Sequence, residues 1–169
     1  MKYLAIDYGE RRIGLAVSDE SGEFAWPHGV RERTGTRRDA TNIIEVVRGL
    51  GIEGIVCGLP RATNGGQGQS EAAVRAFVAL LQNALRTAQI PIEIEWWDER
   101  FSTREALGQM RQLGISQRRG RESSGSDSVD ARAASVILQG FLDRQKAPHR
   151  VLETSEEEPK ANIVGEDLF

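Results

Sequence analysis

The chain has 169 residues, of which 28% are charged and 39% hydrophobic, a profile that fits one globular domain with a single core and leaves no length for a second. No apolar run approaches the ~20 residues needed to cross a bilayer, so no membrane partner is expected, and Asp7 comes too early for a secretory leader. The net charge of -3 is split: from Glu153 onward six acids face one base, which puts that stretch at -5 and the body before it at +2.

In chain order, Lys2 to Tyr8 reads as a buried strand, and Arg12 to Ser18 as its partner across a tight turn containing Gly9. Phe24 to Arg33 completes an antiparallel meander. Thr36 to Leu50 places Ile43, Ile44, Val46, Val47 and Leu50 at helical spacing, with Gly51 positioned to stop the helix. Gly54 to Leu59 is continuously apolar, the mark of a central parallel strand covered on both faces. The single cysteine, Cys57, lies inside it. It excludes an internal disulfide, suits a reducing cytoplasm, and reads as a small buried hydrophobe rather than a nucleophile.

Beyond the glycine-rich stretch Asn64 to Gly68, Ser70 to Gln89 carries Val74, Phe77, Leu81, Ala84 and Leu85 on one helical face. From Ile90 to Trp97, Ile92, Ile94 and Trp96 alternate with Glu93, Glu95 and Trp97, which predicts a strand at the sheet edge, both tryptophans serving in packing. Ser102-Thr-Arg-Glu105 is a capping box that opens a helix burying Leu107, Met110 and Leu113. Gln117 to Ser126 is a basic, glycine-punctuated loop. The last helix is expected from about Asp127 to Arg144, packing Val129, Ala133, Ala134, Val136, Ile137 and Phe141. Residues 1–147 thus form one domain, and 148–169 an acidic tail expected to be disordered. The order of elements predicts an α/β protein, a mixed five-stranded sheet with helices on both faces, as a ribonuclease-H-like fold requires.

Four acids fall where elements end. Asp7 closes the first strand, Asp98 and Glu99 follow the edge strand, and Asp127 and Asp130 open the final helix. A carboxylate buried at a strand end without a positive partner is costly, so Asp7 is either a metal ligand or a solvated turn acid. The carboxyl ends of parallel strands face one crevice, and oxygen ligands gathered there from separate elements suit Mg²⁺ or Mn²⁺. Two such ions ~3.5–4 Å apart activate water and stabilise the leaving oxygen of a phosphodiester. Such a site needs no histidine base, and the chain has only His28 and His149. Each acid also has an ordinary explanation, since first-turn acids favour a helix dipole and Asp98 or Glu99 can pair with Arg100 or Arg104. One shared site explains them all together.

Arg11, Arg12, Arg61 and Arg100 are candidate phosphate contacts, because a guanidinium grips phosphate bidentately. A mildly basic, arginine-rich body beside an acidic tail fits a nucleic-acid partner, though many proteins with such a body bind none. The loop from Gly58 to Gly68 could turn backbone amides toward a phosphate, but it lacks the ending of a P-loop and tight turning explains its glycines equally well.

These residues resemble a family. Asp7-Tyr-Gly with Arg12-Ile-Gly-Leu-Ala-Val-Ser-Asp19, then Gly58-Leu-Pro, Asp98-Glu-Arg-Phe-Ser-Thr103 and Val129-Asp-Ala-Arg-Ala-Ala-Ser-Val-Ile-Leu-Gln139 are similar, in this order, to the motifs of the YqgF/RuvX family. Its members are bacterial proteins that resemble Holliday junction resolvases and are regarded as nucleases maturing the 5′ end of pre-16S ribosomal RNA. The resemblance spans roughly residues 1–145. It implies a ribonuclease-H-like fold, a divalent-metal nuclease, a nucleic-acid partner (pre-rRNA before branched DNA) and a cytoplasmic role in ribosome biogenesis. By motif position it places the acidic site on Asp7, Glu99 and Asp130 and leaves Asp127 outside. Arg61-Ala-Thr-Asn64 departs from the family's more charged pattern, and the acidic tail has no counterpart in the motifs. Two other readings are a non-catalytic module binding RNA or an assembly factor, and an actin-like ATPase lobe, for whose two-lobed closure the chain is too short.

Overall fold

The computed structural model describes residues 1–59, 71–98 and 128–146. In chain order they form β1 (Tyr3–Tyr8), β2 (Arg12–Ser18), β3 (Ala25–Glu32), α1 (Thr36–Leu50), β4 (Gly54–Leu59), α2 (Glu71–Thr87), β5 (Ile94–Asp98) and α3 (Val129–Lys146). The sheet order is β3-β2-β1-β4-β5. β1, β2 and β3 are an antiparallel meander, while β4 and β5 run parallel to β1, so the mixed five-stranded sheet is the expected one. The expected helix over 102–113, the basic loop over 117–126 and the tail from 148 lie outside the described residues.

The alternation of side chains along the strands divides the core in two. Leu4, Ile6 and Tyr8 of β1 pack with Ile43, Val47, Phe77 and Leu81 of α1 and α2. Tyr3 and Ala5 point the other way, into a second cluster with Ala134, Ile137, Leu138, Phe141 and Leu142 of α3. β4 serves both, Ile55 and Cys57 facing α1 and α2 and Val56 facing α3, which is why its sequence is apolar throughout. Each fully buried leucine or phenylalanine contributes roughly 1.5–3 kcal/mol. Cys57 is completely buried, and burial, with a smaller push from the Asp7 charge, raises its thiol far above the usual range. An inert thiol follows, as the sequence implied.

Two packing expectations are corrected. Ala134, Ile137 and Phe141 are buried as expected, but Val129 is 79% exposed and Ala133 and Val136 are half-buried, whereas Ala131, Leu138 and Leu142 take sheet-facing positions. α3 lies mainly over β2, β3 and β1, where Gly14, Ala16 and Ala5 present little bulk, so small residues set its contact stripe. On β5, Trp97 rather than Trp96 enters the core. The Trp97 ring meets Phe141 edge-on at 6.3 Å, and a Cβ at Gly140 would lie 2.8 Å from Trp97 Cζ2. Trp96 stays 37% exposed beneath the Arg75 guanidinium, 5.2 Å from its ring.

Candidate active site

Asp7 is the fifth residue of the six-residue β1, on the face covered by α3, and its cross-strand partner is Gly14 on β2. Gly14 is what lets the next acid approach. A Cβ there would lie 2.1 Å from the Asp130 carbonyl oxygen and 2.5 Å from its carbonyl carbon, so any side chain would hold the start of α3 away. The start of α3 is fixed by Ser128, whose hydroxyl oxygen accepts from the Ala131 N–H at 3.2 Å. Asp130 therefore sits in the first turn of α3, above the residue paired with Asp7, although 123 positions separate the two acids in sequence.

Arg12, two residues before Gly14, reaches Asp130 as well: its Nε lies 2.9 Å from Oδ2, an ion pair without hydrogen-bond alignment. The Arg12 side chain remains 58% exposed. Its expected role as a phosphate contact thus acquires a resident partner. Arg11 is exposed at the tip of the β1–β2 turn, where the Gly9 N–H donates to the Arg12 carbonyl at 2.8 Å.

β5 ends at Asp98, in register with Leu59 of β4, so the carboxyl ends of β1, β4 and β5 share one edge of the sheet. Alternation after Trp97, which faces α3, assigns Asp98 to the opposite face from Asp7. Glu99, Arg61, Arg100 and the spare acid Asp127 lie outside the described residues. Among the described residues, no group of three His, Cys, Asp or Glu side chains is placed to hold a metal. Asp7 and Asp130 supply two hard oxygen donors.

A supporting cluster was not singled out from the sequence. Asp39, 1% exposed in the first turn of α1, accepts hydrogen bonds from the Thr34 N–H at 2.8 Å and the Thr34 hydroxyl at 3.2 Å. Its other oxygen faces Arg33 Nε and the Tyr8 hydroxyl, each at 3.5 Å. Arg33 lies 4.2 Å above the Tyr8 ring and donates to the Glu10 carbonyl at 3.1 Å, while Phe77 stacks on the same ring at 4.0 Å. Burial above all raises the Tyr8 phenol, which keeps it protonated and donating. The end of β1, the hairpin turn and the start of α1 are clamped together, so Asp7 stands on a rigid support. The available sequence signal was Asp39 itself, four residues before Ile43 on the buried stripe of α1, where a carboxylate needs partners.

The sequence profile described as "RuvX: Holliday junction resolvase" matches residues 1–144. The chain belongs to the RuvX family. By that membership it is a nuclease, a hydrolase acting on ester bonds. Among RuvX relatives, a protein of Anaeromyxobacter dehalogenans is 40% identical over 145 residues, covering 86% of this chain and 98% of its own. A protein of Syntrophomonas wolfei is 34% identical over 143 residues, with 85% and 94% covered. Both bear the name "Putative pre-16S rRNA nuclease". Among solved structures, Thermus thermophilus RuvC superposes with a TM-score of 0.56 at 16% identity, covering 86% of this chain and 96% of that one. The yeast mitochondrial Holliday junction resolvase also gives 0.56, at 10% identity over 85% and 78%. At these identities the likeness is one of fold, and it bears out the ribonuclease-H-like reading of this RuvX chain.

Proposed function

We propose that this chain is a divalent-metal-dependent endonuclease that cuts structured RNA and matures the 5′ end of pre-16S rRNA, with Asp7, Glu99 and Asp130 as its metal ligands. The observation that carries this reading is the seating of the Asp130 backbone on Gly14, the strand partner of Asp7. Only a glycine permits it, and it brings the start of α3, which carries Asp130, over the strand partner of Asp7, an approach that separate roles as turn and first-turn acids would not require. Their donor chemistry fits Mg²⁺ or Mn²⁺, which prefer carboxylate oxygen. The motif resemblance favours Glu99 over Asp98 as the third ligand. The names of the relatives favour precursor rRNA over branched DNA. The fully reduced state expected of a lone buried Cys57 is compatible with the cytoplasm.

When bound, divalent ions in such a site lower the pKa of water and neutralise charge on the scissile phosphate. The chain's own part would be to hold the ions on Asp7, Glu99 and Asp130, with Asp7 beside the Tyr8–Arg33–Asp39 clamp and Asp130 in the turn capped by Ser128. Arg11, Arg12, Arg61 and Arg100 grip phosphate oxygens and set the register of the strand.

The test is cleavage of precursor 16S rRNA and of a four-way DNA junction by wild type and Asp7→Asn, in Mg²⁺ and in Mn²⁺. Wild type should cut the RNA. Asp7→Asn should not, with its melting temperature kept within about 2 °C. Wild-type rates from Asp7→Asn would remove Asp7 from the site. RNA binding without cleavage under either metal would turn the reading into that of a non-catalytic RNA-binding module, and faster cutting of the junction would reassign the substrate.

A further inference from the structure

We infer that Arg31, Arg37 and Arg38, continuing from Arg11, form a phosphate-binding tract that leads the RNA strand flanking the cut from the Asp7 end of the sheet into the groove between β3 and α1. This rests on the nuclease reading above. The four arginines are brought together by the fold. The Arg33 N–H donates to the Arg11 carbonyl at 2.9 Å, so the segment after β3 lies against the hairpin turn that carries Arg11. Arg31 is paired with Ile13, whose side chain belongs to the core under α1 and α2, and this register turns Arg31 toward α1. There it lines a groove of about 400 Å³ with His28 of β3 and with Asn42, Glu45, Val46 and Leu50 of α1. Arg38, four residues before Asn42, lies on the same stripe of α1, and Arg37 stands beside it in the first turn.

All four are exposed, and among the described residues none takes part in an ion pair, whereas Arg12, Arg33 and Arg75 each meet a carboxylate. Isolated surface arginines serve solubility and need no ligand. Here four of them gather at the edge where Asp7 lies, and the exposed acids around them are Glu10, Glu32 and, in the groove itself, Glu45. Phosphates are the ligand chemistry that uncommitted guanidinium forks match. The groove into which they lead has an apolar floor from Val46 and Leu50 and polar walls from His28, Asn42 and Glu45, which suits an unstacked base more than a duplex.

The experiment uses the full chain and a labelled RNA stem–loop with single-stranded flanks, in EDTA so that no cleavage interferes. Fluorescence anisotropy is read from 50 to 400 mM salt. The triple variant R31Q/R37Q/R38Q should bind about 10-fold more weakly at 100 mM salt, and the slope of log K against log salt should fall by about 2, near 0.7 for each lost single-strand phosphate contact. The lysine triple R31K/R37K/R38K should keep most of the slope, because charge is retained. Arg31→Gln and Arg38→Gln alone should each lower the slope by about 0.7, which keeps the test open if the triple variant folds poorly. Wild-type affinity and slope in the glutamine variants would overturn the tract and leave the nuclease reading standing. A wild-type chain that binds no RNA would overturn both.

Discussion

Arg12 holds one charge against Asp130, and that single contact sets how the pair of acids meets a cation. With its side chain 58% exposed the ion pair contributes at most about 1 kcal/mol to stability, so its consequence is electrostatic rather than structural. A guanidinium beside a metal ligand repels the metal. Arg12→Gln should therefore bind Mn²⁺ more tightly, by about 3–10-fold in a calorimetric titration of the full chain, while binding RNA more weakly. Weaker Mn²⁺ binding by this variant would mean that Arg12 acts by holding Asp130 in position. Asp7 was legible in the sequence because a carboxylate at the end of an apolar strand needs a reason. Arg12's choice of partner was not, because Arg12 and Asp130 meet only once α3 is laid over β2. The Arg33–Asp39–Tyr8 clamp was hidden in part for the same reason: Asp39 on the buried stripe of α1 calls for partners, but which ones is decided only where β1, β3 and α1 converge.

Elements were legible where hydrophobic periods were strong, and the contact face of α3 was legible only in part. Counting apolar residues finds Ala134, Ile137 and Phe141, which are buried, but adds Val129, Ala133 and Val136; the sheet beneath is lined by glycine and alanine, and closeness of approach selected Ala131 and Leu138 in their place. Bulk opposite the helix decided the face, and bulk opposite a helix is a tertiary quantity. Trp97 displaced Trp96 from the core for a related reason, because Gly58 beside it on β4 and Gly140 above it leave space for the indole. Two glycines, Gly14 and Gly58, differ in what an added side chain would disturb. At Gly14 an added Cβ meets backbone at 2.1 Å, whereas at Gly58 it meets the mobile Cδ1 end of Ile137 at 2.6 Å. Gly14→Ala should cost about 1–3 kcal/mol or more, because α3 must lift, and Gly58→Ala should cost less, since a rotamer change relieves it. Urea unfolding with unchanged m-values would show the difference as a lower midpoint for Gly14→Ala. Equal midpoints would mean that α3 does not bear on Gly14 as tightly as its geometry states.

Among the described residues, one end of the sheet gathers strand ends, helix starts and exposed arginines. The carboxyl ends of β1, β4 and β5 lie there, and the starts of α1 and α3 are held there by Asp39 against Tyr8 and by Asp130 above Gly14. Helix starts carry partial positive charge, and the exposed arginines add to it. Residues 148–169, outside the described residues, contribute six acids and two bases. If they form a tail separate from the domain, they act on an RNA ligand only through charge, and a chain ending at residue 147 makes that measurable. It should melt within about 2 °C of the full chain, since a tail that adds no packing adds no stability. It should also bind RNA about 2–5-fold more tightly at 50 mM salt, with the advantage gone by 1 M, where the Debye length has shrunk to about 3 Å. A lower melting temperature would place part of 148–169 inside the folded domain. An affinity gain that survives 1 M salt would mean that the tail occludes the RNA surface by contact instead of repelling the ligand at a distance.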